Sequence, residues 1–392
     1  MVHGATKRGS PLSLSRTWLR TTTAVVVALA ALVVSPAQMG RSEPAADNRF
    51  LVTAATASMG ISVQRVSADG TLIRVPGSPF PTGFGVLSLT VSADGSTVFV
   101  PHILEPAVSG YRLDRSGRLH KIPGAYQRFS GPPTAAQLTP DGKHLFVVVG
   151  GVPGHVESFA VSSSGALRPT GAPHVAVHGL STIGQAAIDP DGRFLRVLTY
   201  VGNTMSSYAI GANGHLTPRG VSTVGPGPVA PAFSPDGRFL YTSDELTFSL
   251  SGFEVSDDGS LSRTPGSPYP TGGIPHGAIV TPDGKRLYVP NAIGVGTSVA
   301  GFRIHHDGRL TPLPHSPYPM PLGSLPGQIA LHPDGRHMYV VDVATVRSTS
   351  SQVHTYVINA DGSLRPSGAA PVDTGLLITD GPVVALTTVG GR

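Results

Sequence analysis

The chain has 392 residues, of which 28 are Lys or Arg and 23 are Asp or Glu, and it contains no cysteine. The missing thiols exclude disulfides, thiolate metal centres, a thiol nucleophile and a cysteine-linked lipid anchor. Four of the 28 bases lie in residues 1–37, which hold no acid, so the remainder carries 24 bases against 23 acids. It also lacks the clustered positive charge that nucleic acid binding requires.

The first segment reads as an export signal. Lys7, Arg8, Arg16 and Arg20 precede an apolar run over residues 21–34, and Ser35-Pro36-Ala37 supplies small residues for cleavage. A basic flank, a short apolar run and a small-residue site together define a secretory signal peptide. The run is shorter than the roughly 20 residues that span a bilayer. The expected product is therefore secreted, with residues 1–37 removed, a flexible lead over 38–48 and a body over 49–390 without a membrane span.

Two short motifs alternate through that body. The first, Asp-Gly-x-Leu or a close relative, places glycines at Gly70, Gly117, Gly165, Gly214, Gly259, Gly308 and Gly362, spaced by 47, 48, 49, 45, 49 and 54 residues. The second, Pro-Asp-Gly-Lys/Arg-x-Leu-Tyr-Val and its variants, places glycines at Gly95, Gly142, Gly192, Gly237, Gly284 and Gly335. Each Asp-Gly between β-rich runs predicts a hairpin, because glycine takes the positive φ and Asp bonds the backbone two residues on. Two hairpins per repeat give four short strands, the content of one propeller blade.

Side chains repeat as well. Tyr111, Phe159, Tyr208, Phe253, Phe302 and Tyr356 stand six residues before the first-motif glycine, and only the first repeat departs, with Gln64. Val66, Leu113, Val161, Ile210, Val255, Ile304 and Ile358 stand four residues before it. A spacing of two puts both sets on one strand face, so the aromatics are predicted to be core between blades. The chain ends without a seventh copy of the second motif, but Phe50-Leu51-Val52 matches Leu287-Tyr288-Val289. The prediction is an all-β, seven-bladed β-propeller with four-stranded blades. Its ring is closed by the N-terminal strand pairing with the C-terminal stretch Pro382-Val383-Val384-Ala385-Leu386. The linkers Pro76-Gly77-Ser78-Pro79-Phe80-Pro81, Pro265-Gly266-Ser267-Pro268-Tyr269-Pro270 and Pro314-His315-Ser316-Pro317-Tyr318-Pro319 follow fourth strands, which marks those strands as outer edges.

Over residues 49–390, Pro-Asp-Gly-Arg-Phe-Leu-Tyr at 235–241 and the Gly-Ser-Pro-Phe/Tyr-Pro linkers resemble the lactonase-type propeller family. That family includes bacterial 6-phosphogluconolactonase, fungal carboxymuconate cyclase and YVTN-repeat relatives. The resemblance implies an inner strand opening with Gly-Pro-Arg-His and a next strand ending in Asn-Glu-Leu, whose Arg and Glu face a central pocket. Here the stretches are Gly227-Pro228-Val229-Ala230 and Asp244-Glu245-Leu246. Glu245 is kept, whereas Val229 and Ala230 replace the Arg and His. Thr182-Ile183-Gly184-Gln185 replaces a Pro-His-Pro-His-like opening, and Asn291-Ala292 replaces Asn-Arg.

Lactone opening needs a base for water and donors or cations for the developing oxyanion. Glu245 is the candidate base, and His276 in Pro275-His276-Gly277 is its candidate partner. With the cationic positions replaced, the expectation is a secreted, non-catalytic propeller that binds a small molecule, an extracellular protein or a cell-wall component. The alternative is a divergent lactone hydrolase or cyclase acting through Glu245. No cofactor or metal site is expected, and the chain is expected to be a monomer. His174 and His178 have the spacing of paired metal ligands on a helix, but Pro173 and the strand context make them loop histidines. His305-His306-Asp307 is expected in a hairpin turn, and no serine sits in Gly-x-Ser-x-Gly.

Overall fold

The computed structural model describes residues 48–294, 297–345, 348–379, 381 and 383–390. The expected signal peptide and all of the expected lead except Asn48 lie outside the described residues. Seven separate antiparallel sheets follow one another along the chain, each the blade of a seven-bladed propeller. From blade 2 to blade 7 the second strands are Thr97–His102, His144–Val149, Phe194–Val201, Phe239–Asp244, Arg286–Gly294 and His337–Thr345. Blade 1 takes Arg49–Ala54 as second strand, followed by Gly60–Val66 and Leu72–Arg74. Its inner strand is Val384–Thr388, with Leu51 opposite Leu386 and Phe50 opposite Thr387. The expected closure is therefore present. Among the described residues the only helical element is the 3-10 turn Glu245–Thr247, and no helix is long and apolar enough to cross a membrane.

The turns have the predicted chemistry. First-motif glycines have φ between 75° and 90°, and second-motif glycines between 67° and 72°. This is the left-handed region that glycine occupies without a side-chain clash. Asp carboxylates in both motifs accept the backbone N–H two residues on, as Asp69 does from Thr71 and Asp283 from Lys285.

The core lies between blades. Seven clusters of buried apolar side chains occur, and each draws on two adjacent blades. The six repeated aromatics are all 2–3% exposed, as expected of core. Of the aliphatic set, Val66, Leu113 and Ile358 are buried, while Val161, Ile210, Val255 and Ile304 are half-buried. The fourth strands stand at the outer edges of their sheets, and the linkers that follow them pair on the same side. Phe80–Pro81, Tyr269–Pro270 and Tyr318–Pro319 are short strands that pair with the third strands of their blades. Proline brings no donor, but the Ser78, Ser267 and Ser316 hydroxyls each accept a third-strand N–H, from Val63, Gly252 and Gly301.

A polar latch accompanies the apolar contacts. Four residues after the second-motif glycine, Tyr241, Tyr288 and Tyr339 donate to the carbonyls of Gly308, Gly362 and Gly70 in the next blade, at 2.8, 2.8 and 3.1 Å. Arg196 does the same to Gly259 at 2.6 Å, its guanidinium pushed down to about 10 by burial. The Tyr339 latch crosses the seam between blades 7 and 1. Removing a buried donor leaves its acceptor unpaired, at roughly 1–3 kcal/mol. Tyr288→Phe is therefore expected to lower the unfolding free energy by about that amount, measured by urea denaturation. An unchanged midpoint would show that the latch contributes nothing.

Candidate functional site

In an antiparallel blade, the turn from second to third strand and the segment leading into the inner strand meet at one end. Glu245 opens the 3-10 turn directly after Phe239–Asp244. Its N–H donates to Gly227 O at 3.0 Å, and Leu246 N–H to Pro226 O at 3.2 Å, which ties this turn to the opening of its own inner strand. His276 lies in blade 6 between Gly273–Pro275 and Ile279–Val280. Its N–H donates to Pro290 O, and its carbonyl accepts from Gln328 Nε2 of blade 7. His276 Nδ1 lies 2.6 Å from Glu245 Oε1, with the two side chains 19% and 15% exposed. The two residues singled out by sequence thus come from adjacent blades and touch.

Tyr200 joins them. It stands eight residues after Gly192, as Glu245 stands eight after Gly237, so the two hold the same station in neighbouring blades. Its phenol is pushed up by burial and then by the Glu245 carboxylate beside it. Gly227, at φ 66°, packs between Tyr200 and Leu246: a Cβ there would lie 2.8 Å from Leu246 Cγ and 3.2 Å from Tyr200 Cζ.

The positions where the family resemblance implies cations are apolar and shut. Val229, Ala230 and Ala292 are 4%, 7% and 8% exposed. Val229 and His276 are each eight residues before their second-motif glycine, so the station empty of a polar group in blade 5 carries His276 in blade 6. The inner strand of blade 5 bulges between Val229 and Ala232, which sets Ala230 at φ 46°. That conformation is costly for alanine and persists only where its surroundings impose it. Here Ala230 N–H donates to Gln185 Oε1 of blade 4. No Lys, Arg, Asp or Glu occurs in any of the seven inner strands, Val384–Thr388, Thr90–Val91, Pro133–Leu138, Leu180–Ile188, Pro228–Phe233, Gly273–Pro275 with Ile279–Val280, and Ser324–Leu331.

Sequence reasoning missed a ring of buried polar groups one residue earlier. Seven residues after the second-motif glycine stand His102, Thr199, Asp244, Asn291 and Asp342, all 0% exposed. Each meets a third-strand side chain: His102 meets Ser109 at 3.0 Å, Asp244 accepts from Ser251 at 2.6 Å, Asn291 donates to Ser298 at 3.1 Å, and Asp342 meets His354 at 3.0 Å. Thr199 and Thr204 make the same cross-strand contact. The fixed offset was available in the sequence. Burial sets the protonation of these groups, pushing His102 down to about 4 and Asp244 up to about 6, and raising Asp342. Ser324 Oγ lies 3.3 Å from His354 Nε2, the nitrogen that also meets Asp342, so serine and aspartate share one nitrogen and form no relay triad.

His174 and His178 lie on either side of the strand Val175–Val177, so an extended chain separates them. His305-His306-Asp307 forms the expected hairpin turn, closed by Gly308 N–H to His305 O. The clefts between blades on the Asp-Gly side, such as one of about 420 Å³ lined by Ser234, Asp236, Phe239, Asp283, Lys285 and His305, hold solvated turn residues and no comparable pair.

The chain is 25% identical over 335 residues to the 6-phosphogluconolactonase of Erwinia tasmaniensis, covering 83% of this chain and 82% of that protein. No defined family profile matches this chain. A putative 6-phosphogluconolactonase from Bacteroides fragilis superposes with a TM-score of 0.71 at 20% identity, over 88% of this chain and 99% of that one. The periplasmic gluconolactonase of Pseudomonas aeruginosa gives 0.68 at 22% identity, over 87% and 99%. These two likenesses establish the shared fold. Together, the likenesses of sequence and fold support a lactonase-type β-propeller family.

Within this propeller, Asp244 offers a test of the buried ring. Its raised value means that the folded state holds the proton more tightly than the unfolded chain. Stability from this group is then complete below about pH 4 and is lost as pH rises through about 6. Asp244→Asn copies the residue type of Asn291 at the same station and removes that loss. Relative to the parent, its stability should rise by up to about 3 kcal/mol between pH 4 and 7, read from urea midpoints. Parallel profiles would rule out a protonated Asp244.

Proposed function

We propose that this propeller is a secreted, non-catalytic receptor for an uncharged, hydroxyl-bearing small molecule held at the mouth of its central channel. The observation that carries the reading is the absence of any charged residue from the seven inner strands. A phosphorylated or carboxylated ligand needs cations at close range, and the positions implied for them hold Val229, Ala230 and Ala292. Glu245, His276 and Tyr200 supply polar contacts on one side of the mouth, and the exposed Leu246 supplies an apolar edge. A few fixed polar groups set against apolar surface are the usual make-up of a small-molecule site.

The Glu245–His276 contact favours a second reading, hydrolysis of an uncharged lactone. A carboxylate on Nδ1 selects the imidazole tautomer with its lone pair on Nε2, the form a general base requires. The relatives whose names specify lactones as substrates make lactones the first compounds to try. Export rests on the leader over residues 1–37, and N-terminal sequencing of protein from culture medium tests it.

Calorimetry and hydrolysis assays on the same protein separate the two readings. The receptor reading expects neutral sugars or lactones to bind without turnover, with affinity falling at least about tenfold in Glu245→Gln and His276→Ala, the order of one lost polar contact. It also expects no gain in affinity from a phosphate on the ligand. Turnover abolished in Glu245→Gln would replace the receptor with the hydrolase, and preference for an anionic ligand would overturn both readings.

A further inference from the structure

We propose that His155, Glu157 and His174 form a binding site for a divalent transition-metal ion on blade 3, away from the channel mouth. His155 and Glu157 are two apart on the strand Gly154–Val161 and so share a face. Val175–Val177 pairs antiparallel with that strand, Gly154 opposite Val177 and Val156 opposite Val175. The same register extended by one residue brings His174 opposite Glu157. His155 Nε2 lies 3.1 Å from Glu157 Oε1, and His174 Nε2 lies 3.8 Å from Glu157 Oε2. The two imidazoles stack with centroids 4.9 Å apart and planes 6° from parallel. Both Nε2 atoms therefore converge on the two oxygens of one carboxylate, and the three donor atoms lie within 4.8 Å of one another.

Metal–ligand bonds of about 2.1 Å in a tetrahedral set hold donors about 3.4 Å apart. Closing this trio needs a shift of about 1 Å from those spacings. His174, whose side chain is 56% exposed, has the freedom to make it, while Glu157 at 19% and His155 at 25% are held by the strand. Among the described residues, the two histidines are the only ion-pair partners of Glu157. Two imidazoles with one carboxylate suit zinc, nickel, cobalt or copper and disfavour magnesium and calcium. Three protein ligands also leave a fourth position for water.

A second cluster, His332, Asp334 and His337, lacks this freedom. Asp334 Oδ1 accepts the N–H groups of Arg336 and His337, and His332 Nε2 already meets Arg49 at 2.7 Å. On blade 3 a metal would clip the segment that returns from the fourth strand onto the third, in a chain without disulfides.

The test uses the untagged full chain, stripped with chelator and titrated with Zn²⁺ and with Co²⁺. One equivalent should bind, raise the thermal midpoint and, for Co²⁺, produce the visible absorption of a low-symmetry site, while Mg²⁺ should do neither. His174→Ala alters an exposed side chain and should keep the fold, yet weaken Zn²⁺ binding at least tenfold. Glu157→Gln should do the same, and His337→Ala should leave binding unchanged. Failure to bind Zn²⁺ at millimolar concentration, or equal binding by His174→Ala and the parent, would overturn the site.

Discussion

The contact between neighbouring blades is the constraint on which the rest of the molecule depends. A four-stranded sheet of this size has two faces and cannot bury either alone. Each of the seven apolar clusters is shared by two blades, so every sheet is stabilised by both of its neighbours. A ring of such contacts fails unless its last interface equals the others. Here it does: Tyr339 reaches Gly70 across the seam as Tyr288 reaches Gly362, and Leu51, Val66 and Leu72 pack with Tyr339, Val341 and Val353. Arg49–Ala54 then locks the seam covalently into the first blade while hydrogen-bonded to Val384–Thr388 of the last segment. Opening the ring requires breaking a complete strand pairing, and this closure substitutes for absent disulfides.

The same constraint decides where polar chemistry can sit. Inner strands pack side by side around the axis and use side-chain oxygens to satisfy one another's backbones, Ser88 for Ala136, Thr90 for Leu138 and Gln185 for Ala230. A charge there would lose solvent without gaining a counterion. His102, Asp244 and Asp342 sit instead at or near the ends of the second strands, where a third-strand hydroxyl or imidazole stands opposite. One residue further stand Tyr200, near the end of Phe194–Val201, and Glu245, in the 3-10 turn after Phe239–Asp244. A single repeat register thus produces uncharged inner strands, a buried polar ring and, one residue on, the candidate site.

Much of this was legible in the sequence because its signals are local. Glycines held at positive φ mark each hairpin, and the period of two carries Tyr111 with Leu113, and Phe302 with Ile304, onto one face. The missing second motif and its match at Phe50-Leu51-Val52 gave the closure. What escaped depends on contacts between segments. The Pro-rich linkers mark an outer edge because proline donates nothing, but that their serines accept third-strand N–H groups depends on the fold. The buried ring at His102, Asp244 and Asn291 varies in residue type, so an offset of seven did not stand out as a motif. The sequence offers His276 as a candidate partner for Glu245, but that they touch follows from the stacking of blades 5 and 6. Four-residue spacing pairs His174 only with His178, and only on a helix, whereas cross-strand register brings it to Glu157.

The electrostatics of the mouth follow from which partner Glu245 retains. An arginine beside a carboxylate is a fixed cation, and the pair would attract anionic ligands at any physiological pH. Histidine is charged only when protonated, so the Glu245–His276 pair presents either a net negative or a neutral polar surface. Neither form attracts a phosphate. The Tyr200 phenol, raised by burial and by Glu245, stays protonated and adds a donor of no charge. On the proposed receptor reading, a ligand for this site offers hydroxyls that both donate and accept. Sugars in their neutral cyclic forms meet that condition, and on the same proposed reading the replaced cations change the charge a ligand can carry.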